Sequence, residues 1–181
     1  DGANLGGGDY MTINQNKKVI HIVTPYDYDI IILNKKLNKT YIYFGSSGFS
    51  KFKKQAIQDG NAEKIATDVS VKRAVSKSNR LYNNSVWDLV DKSEKEVIDY
   101  SKIDRKKLTK ELQALSDAEL KKHVETQKKK RSEIKKQINE LNKKRKIYVA
   151  KKQQESTKKN ELESVMILAI KKQAMRKNYK W

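Results

Sequence analysis

The stretch SDAELKKHVETQKKKRSEIKKQINELNKKRKIYVAKKQ, residues 116–153, decides how this chain folds. It contains neither Gly nor Pro, and its first four residues match the S-x-x-E capping box that commonly begins a helix. Apolar side chains recur at intervals of three and four residues, which is the helical period. They are Leu120, Val124, Ile134, Ile138, Leu141 and Tyr148. The pattern predicts one long helix with a narrow apolar stripe and a cationic coat.

Polar residues interrupt this apolar stripe at positions where the same spacing of three and four residues would place an apolar side chain. They are Gln127, Arg131, Arg145 and Lys152. A self-associating coiled coil needs a sustained apolar seam, so the interruptions disfavour one without excluding it. We expect instead that the long helix docks on its own chain, against a helix at 49–79 or at 161–175. The oligomeric state stays open.

The N-terminal third predicts a short β-hairpin followed by a helix. Residues 9–13 and 19–23 alternate or carry β-branched side chains, as short strands do. Thr24-Pro25 then favours a helix start, because Thr caps well and Pro suits the first helical position. The helical period continues to Tyr41.

Three more helical segments are expected between residue 49 and the long helix. The first runs from Phe49 to Asn79, with a possible break at Asp59–Gly60 because Gly weakens a helix interior. A short helix opens at residues 86–90, where Trp87 is expected in the core. Another follows Ile103-Asp104. With a last amphipathic helix at 161–175, the predicted fold class is mainly α.

Composition limits what kind of protein this is. The 181 residues are 36% apolar and 35% charged, so the core is thin and an elongated shape is expected. The absence of Cys excludes disulfides and thiolate chemistry. No apolar run reaches the length of a membrane span. The first ten residues lack the features of a signal peptide, and we expect a fragment or processed product of a longer protein.

Positive charge is concentrated in the C-terminal half. The formal net charge is +19, and residues 101–181 hold 26 Lys and Arg against 10 Asp and Glu, an excess of +16. Such a field attracts polyanions such as RNA, although solvated lysine faces give the same composition. The candidate polyanion contacts are Lys128, Lys129, Lys130, Arg131, Lys143, Lys144, Arg145 and Lys146.

The sequence offers no enzyme motif. His21 and His123 are the only histidines, and neither lies in a metal-ligand or nucleophile–base pattern. Asp27 and Asp29 fit the first turn of a helix, where acids favour the dipole. Residues 6–8 are Gly-Gly-Gly but lack the G-K-[ST] sequel of a phosphate loop. We therefore predict no catalytic, cofactor-binding or metal-binding residue and no cofactor.

The N-terminal segment GGGDYMTINQ, followed by VIHIVTPYDYDIIILNKKLNKTYIYFG, resembles the end of the von Willebrand factor A (VWA) domain in a group of bacterial proteins. Weaker similarity follows in AVSKSNRLYNNSVWDLVD, LQALSDAEL, IKKQINELNKKRKIYVA and AIKKQAMRKNY. The resemblance implies that residues 1–45 are the C-terminal remnant of a VWA-like α/β domain and that 46–181 are a helical extension. The family's Asp-x-Ser-x-Ser metal loop has no counterpart here, so no metal ligand carries over.

Two functional hypotheses follow. The resemblance implies a non-catalytic interaction or scaffold region of a larger exported protein, periplasmic or extracellular, that contacts an unidentified protein. The charge distribution favours the alternative, a basic helical protein that binds RNA or an RNA-rich particle. An enzymatic function ranks third because no nucleophile–base pair is visible.

Overall fold

The computed structural model describes residues 21–157, 161–177 and 179. This part of the chain is mainly helical, as the sequence predicts. The predicted N-terminal hairpin rests on residues outside the described ranges. Seven α-helices are described: α1 (Asp27–Asn38), α2 (Gly48–Ile65), α3 (Thr67–Ser78), α4 (Leu89–Lys95), α5 (Lys110–Gln113), α6 (Asp117–Thr157) and α7 (Glu161–Arg176).

The chain divides into two compact units, and residues 23–146 form the larger one. The end of α6 from Ile147 onward and all of α7 belong to the other unit. The larger unit thus includes residues on both sides of the boundary expected at 45–46. It also contains two single-turn 3-10 helices, Tyr100–Lys102 and Arg105–Lys107.

Helix α1 begins one turn later than Thr24 and ends before Tyr41. The Thr24 hydroxyl donates to Asp27 Oδ1 at 2.6 Å, and the Thr24 backbone N–H donates to Asp27 Oδ2 at 3.2 Å. Thr24 donates both bonds, so Asp27 reaches back to the N–H three residues earlier as the acid of a capping box does, and the chain is held as it enters the helix. The prediction that the helix reaches Tyr41 is wrong, because α1 stops at Asn38. Tyr41 is nevertheless buried, with 8% of its surface exposed.

The segment predicted as one helix from 49 to 79 is two helices, and its break lies at Ala66. Ala66 is extended, with φ −171° and ψ 157°. Gly60 lies inside α2, so the break expected at Asp59–Gly60 is wrong. The side chain of Asp59, beside Gly60, is buried and bonded to α3 and to Asn38 of α1. These bonds hold the middle of α2 in place and offset the helix-weakening effect of Gly60.

Two apolar clusters form the core of the larger unit, and α6 contributes to both. The first contains Ile30, Leu33, Leu37, Tyr41, Val71, Ala74, Trp87 and Ile138. Tyr41 and Trp87 stack there with ring centroids 5.6 Å apart, so Trp87 lies in the core as predicted. The second contains Ile42, Leu89, Val90, Leu108, Leu112, Leu120 and Val124. The apolar stripe of α6 from Leu120 to Leu141 therefore packs into the core of the larger unit.

Helix α6 docks on its own chain, and the helices that receive it are α1, α3 and α4. Ser78, the last residue of α3, donates its hydroxyl to Asn139 Oδ1 at 2.9 Å. The predicted capping box is confirmed, since Glu119 N–H donates to Ser116 Oγ at 3.3 Å and Ser116 N–H donates to Glu119 Oε2 at 2.8 Å. The helix continues to Thr157, four residues past the predicted end. None of the helices in the described ranges is long and apolar enough to cross a membrane.

Candidate functional site

The inner face of α6 carries two arginines among its apolar residues. Alternating steps of four and three residues from Leu120 give the positions on the inner face. They are Leu120, Val124, Gln127, Arg131, Ile134, Ile138, Leu141 and Arg145. Arg131 has no exposed surface, and 13% of the Arg145 side chain is exposed. Arg131 and Arg145, two of the residues that interrupt the apolar stripe, are thus part of the docked face and are positioned by the same helical period.

All five N–H donors of the Arg131 guanidinium have an acceptor. Nε donates to Thr40 Oγ1 at 2.9 Å, and Nη2 donates to the Thr40 carbonyl at 2.7 Å. Nη1 donates to Asp88 Oδ2 and to Asp91 Oδ1. The second Nη2 donor approaches Asp88 Oδ1 at 3.4 Å. The guanidinium carbon also lies 4.2 Å from the centre of the Tyr41 ring, which adds a cation–π contact. We call Arg131, Thr40, Tyr41, Asp88 and Asp91 the Arg131 cluster.

Backbone groups hold the two carboxylates of the Arg131 cluster. Asp88 is the N-cap of α4 and accepts the Asp91 N–H at 2.9 Å. It also accepts the Ile42 N–H at 2.7 Å, while Asp91 accepts the Asn84 N–H at 2.7 Å. The cluster therefore ties three separate segments, residues 40–42, 84–91 and α6, through one buried charge. No guanidinium donor remains for a ligand.

The two sides of the Arg131 cluster respond differently to burial. Burial opposes the charge of Arg131, but Asp88 and Asp91 outweigh it and raise the pKa of Arg131 above its usual value. For Asp88, burial together with the nearby Asp91 carboxylate outweighs Arg131 and raises the pKa of the Asp88 carboxyl. The asymmetry has a simple cause, since two carboxylates share one guanidinium in a site without water access.

A second buried ionic group joins α1, α2 and α3. Lys77 has no exposed surface and donates to Asp59 Oδ2 at 2.6 Å. Asp59 also accepts from Asn38 at 2.7 Å and from Arg73 at 2.5 Å. Burial opposes ionisation of Asp59, but these three donors outweigh it and hold the pKa of that carboxyl below its usual value. Lys77 donates to Asn38 Oδ1 as well as to the carboxylate of Asp59 that it shares with Arg73, and burial lowers the pKa of Lys77 to about 8.

Arg145 makes the second ionic link between α6 and the helices that receive it. Its Nε donates to Asp27 Oδ1 at 2.8 Å. Burial alone would raise the pKa of Asp27, but the Thr24 hydroxyl and Arg145 outweigh burial and hold that pKa below its usual value. Arg145 and Arg131 are two heptads apart on α6. Both therefore contact carboxylates from the same side of the helix.

The eight candidate polyanion contacts do not form one surface. Lys129, Lys130, Lys143, Lys144 and Lys146 are exposed. Lys128 is half-buried and donates to the Ser93 carbonyl at 3.3 Å. Arg131 is fully buried and Arg145 is paired with Asp27, so neither presents its charge at the surface. In each run of four cations the helix turns the arginine inward.

The sequence also contains a regular row of lysines, which the runs of consecutive cations do not reveal. Lys122, Lys129, Lys136 and Lys143 follow one another at intervals of seven residues, and all four are exposed. Seven residues are close to two helical turns, so these side chains project from nearly the same side of α6. We call them the lysine ladder. A search for cations at heptad spacing, rather than for consecutive cations, would have found them.

Three other polar side chains considered from the sequence, His123, Asp27 and Asp29, lie in the described ranges. No group of three His, Asp or Glu side chains there is placed to hold a metal ion. His123 is half-buried on α6. Asp27 and Asp29 lie in the first turn of α1, as expected; Asp27 contacts Arg145, whereas Asp29 lines an open groove between α1 and α6 with Lys36, Glu140 and Lys144.

Comparison of the chain with protein-family models, with curated proteins and with solved structures gives no match. The function of the chain is therefore inferred from its sequence and its geometry.

Replacing Arg131 by Met should lower the free energy of unfolding by about 3–5 kcal/mol, because Asp88 and Asp91 would stay buried without a counter-charge. Urea unfolding followed by circular dichroism measures the change. Lys130→Met is the matched control, since Lys130 is the exposed neighbour, and its effect should be within about 0.5 kcal/mol. A loss for Arg131→Met no larger than that of the control would contradict the role given to the cluster.

The lowered pKa of Asp27 predicts a loss of stability in acid. A carboxyl with a folded-state pKa below its usual value of 3.8 stabilises the fold above that value, and the contribution disappears as pH falls through the folded-state pKa. Asp27→Asn removes this group, so its unfolding free energy should fall less than that of the wild type between about pH 6 and about pH 2. The exposed Asp29→Asn variant serves as control and should behave as the wild type. Equal acid responses of Asp27→Asn and the wild type would disprove the assignment.

Proposed function

We propose that this chain is a non-catalytic scaffold region, the C-terminal part of an exported VWA-type protein, that presents α6 to a partner. Its helices hold one side of α6 by buried ion pairs and leave the opposite side exposed. The sequence similarity in TPYD and in the segments that follow supports the VWA origin. Protein–protein contact is the role that this origin favours.

The single observation that carries the scaffold proposal is the complete use of the Arg131 donors. A guanidinium that serves a substrate must keep donors for it, whereas here Thr40, Asp88 and Asp91 accept all five bonds. A buried and fully bonded arginine fixes the position of a helix. The cluster thus supports a positional role, and the exposed face of α6 supports an interaction role.

Polyanion binding is the second candidate function. The observation that favours it is the chemical uniformity of the exposed side of α6: every exposed residue from 121 to 146 is polar or charged. This segment has ten Lys and three Glu. The partner could then be recognised by its charge alone, because no apolar patch is available there for a protein interface core.

The VWA origin predicts what the gene encodes upstream of Asp1. We expect a strand followed by an Asp-x-Ser-x-Ser loop, and an export signal before it, in the same open reading frame. Sequencing the upstream region of the gene is the measurement. A reading frame that encodes no such strand–loop unit would overturn the VWA assignment. It would leave the buried clusters and their positional role unaffected.

A further inference from the structure

The lysine ladder consists of exposed cations that form no ion pair with any residue the structure describes. Among the described residues, several exposed lysines pair with a nearby acid, as Lys72 does with Asp68 and Lys102 with Asp99. None of the four ladder lysines forms an ion pair within that part of the chain. Helix α6 has acids within reach of a lysine, but Glu133 instead accepts from Gln137 at 3.0 Å. The ladder therefore keeps its charges available to another molecule.

The spacing of the ladder sets the shape of what it can contact. Seven residues of α-helix rise about 10.5 Å, so the ladder spans about 32 Å along α6, and it winds around the helix by only about 20° per heptad. One turn of a DNA duplex is about 34–36 Å. A row of that length laid along a duplex passes across the grooves and meets phosphates on either side. Lysine is a point-charge donor that suits such contacts without reading bases.

Other polyanions fit the exposed face less well. Proteins that bind single strands add aromatic side chains on which the bases stack, and no exposed residue from 121 to 146 is aromatic. An amphipathic helix that lies on a membrane inserts an apolar face beside its lysines. The apolar face of α6 in this segment is already buried in the two core clusters. A duplex needs neither feature.

We infer that the lysine ladder, Lys122, Lys129, Lys136 and Lys143, binds the phosphate backbone of double-stranded nucleic acid without sequence preference. The inference rests on the proposed scaffold role, because the ladder points outward only while the Arg131 cluster holds the opposite side of α6. Lys121 and Lys135 flank the ladder and strengthen its field. DNA and RNA duplexes share the recognised chemistry, so both are used in the test.

The test is a fluorescence-anisotropy titration of the full chain with a labelled DNA duplex and with an RNA duplex of the same sequence. Measurements run from about 50 to about 200 mM salt, where log K should fall linearly with log salt. Replacing all four ladder lysines by Gln should make that slope shallower by about 3.6, since each phosphate contact contributes about 0.9. Gln preserves helix propensity, so the unfolding curve should not change.

A charge-matched control separates the ladder from net charge. Lys39, Lys51, Lys54 and Lys64 are also exposed and form no ion pair in the described ranges. Their combined replacement by Gln removes the same charge and should leave most of the salt dependence in place. Equal losses in both quadruple variants would overturn the ladder as the site.

Three further outcomes would overturn the inference. They are no binding to either duplex at low salt, tighter binding to the single strand than to the duplex, and binding only to phosphatidylserine vesicles. Each of these, obtained with a cooperative wild-type unfolding curve, leaves the scaffold role intact. A wild-type chain that does not unfold cooperatively would instead count against the scaffold itself.

Discussion

A single buried guanidinium constrains the arrangement of the larger unit. An unpaired charge cannot stay in an interior without a large cost, so Arg131 enters the core only if carboxylates and carbonyls surround it. Those acceptors come from Thr40, after α1, and from Asp88 and Asp91, at the start of α4. The segments that carry them must therefore take up their positions together with α6. The two apolar clusters lie on either side of the site along α6, one around Val124 and the other around Ile138.

The same constraint selects the register of α6. Arg131 lies on the inner face of α6, and the equivalent positions seven residues before and after it hold Val124 and Ile138. A slip of one heptad would set an apolar side chain against Asp88 and Asp91 and move the guanidinium into an apolar cluster. The bond from Arg145 to Asp27 fixes the same register at the C-terminal end of the docked face. Buried polar groups that specify one register among similar alternatives are well known in helical assemblies.

Local sequence patterns predicted α6 well, whereas contacts between residues that are distant in the sequence could not be predicted. The Ser116 capping box, the Gly- and Pro-free run and the apolar period are local, and the structure confirms the capping box and the one long helix that these patterns predict. Arg131 was expected at the surface because charged residues are rarely buried without partners. Its partners lie 43 and 40 residues away, and no local pattern connects them. The position of the α2–α3 break was missed for a related reason, since bonds from other helices hold Asp59 and offset the effect of Gly60.

The function proposed above follows from this division of α6 into a bonded side and an exposed side. The central claim is that Arg131 and Asp88 act as a unit, and a double-mutant cycle tests it most directly. Urea unfolding is measured for the wild type, Arg131→Met, Asp88→Asn and the double variant. The account predicts a coupling of about 1–3 kcal/mol, because either single variant leaves the other buried group unsatisfied. Additive effects within about 0.5 kcal/mol would contradict it.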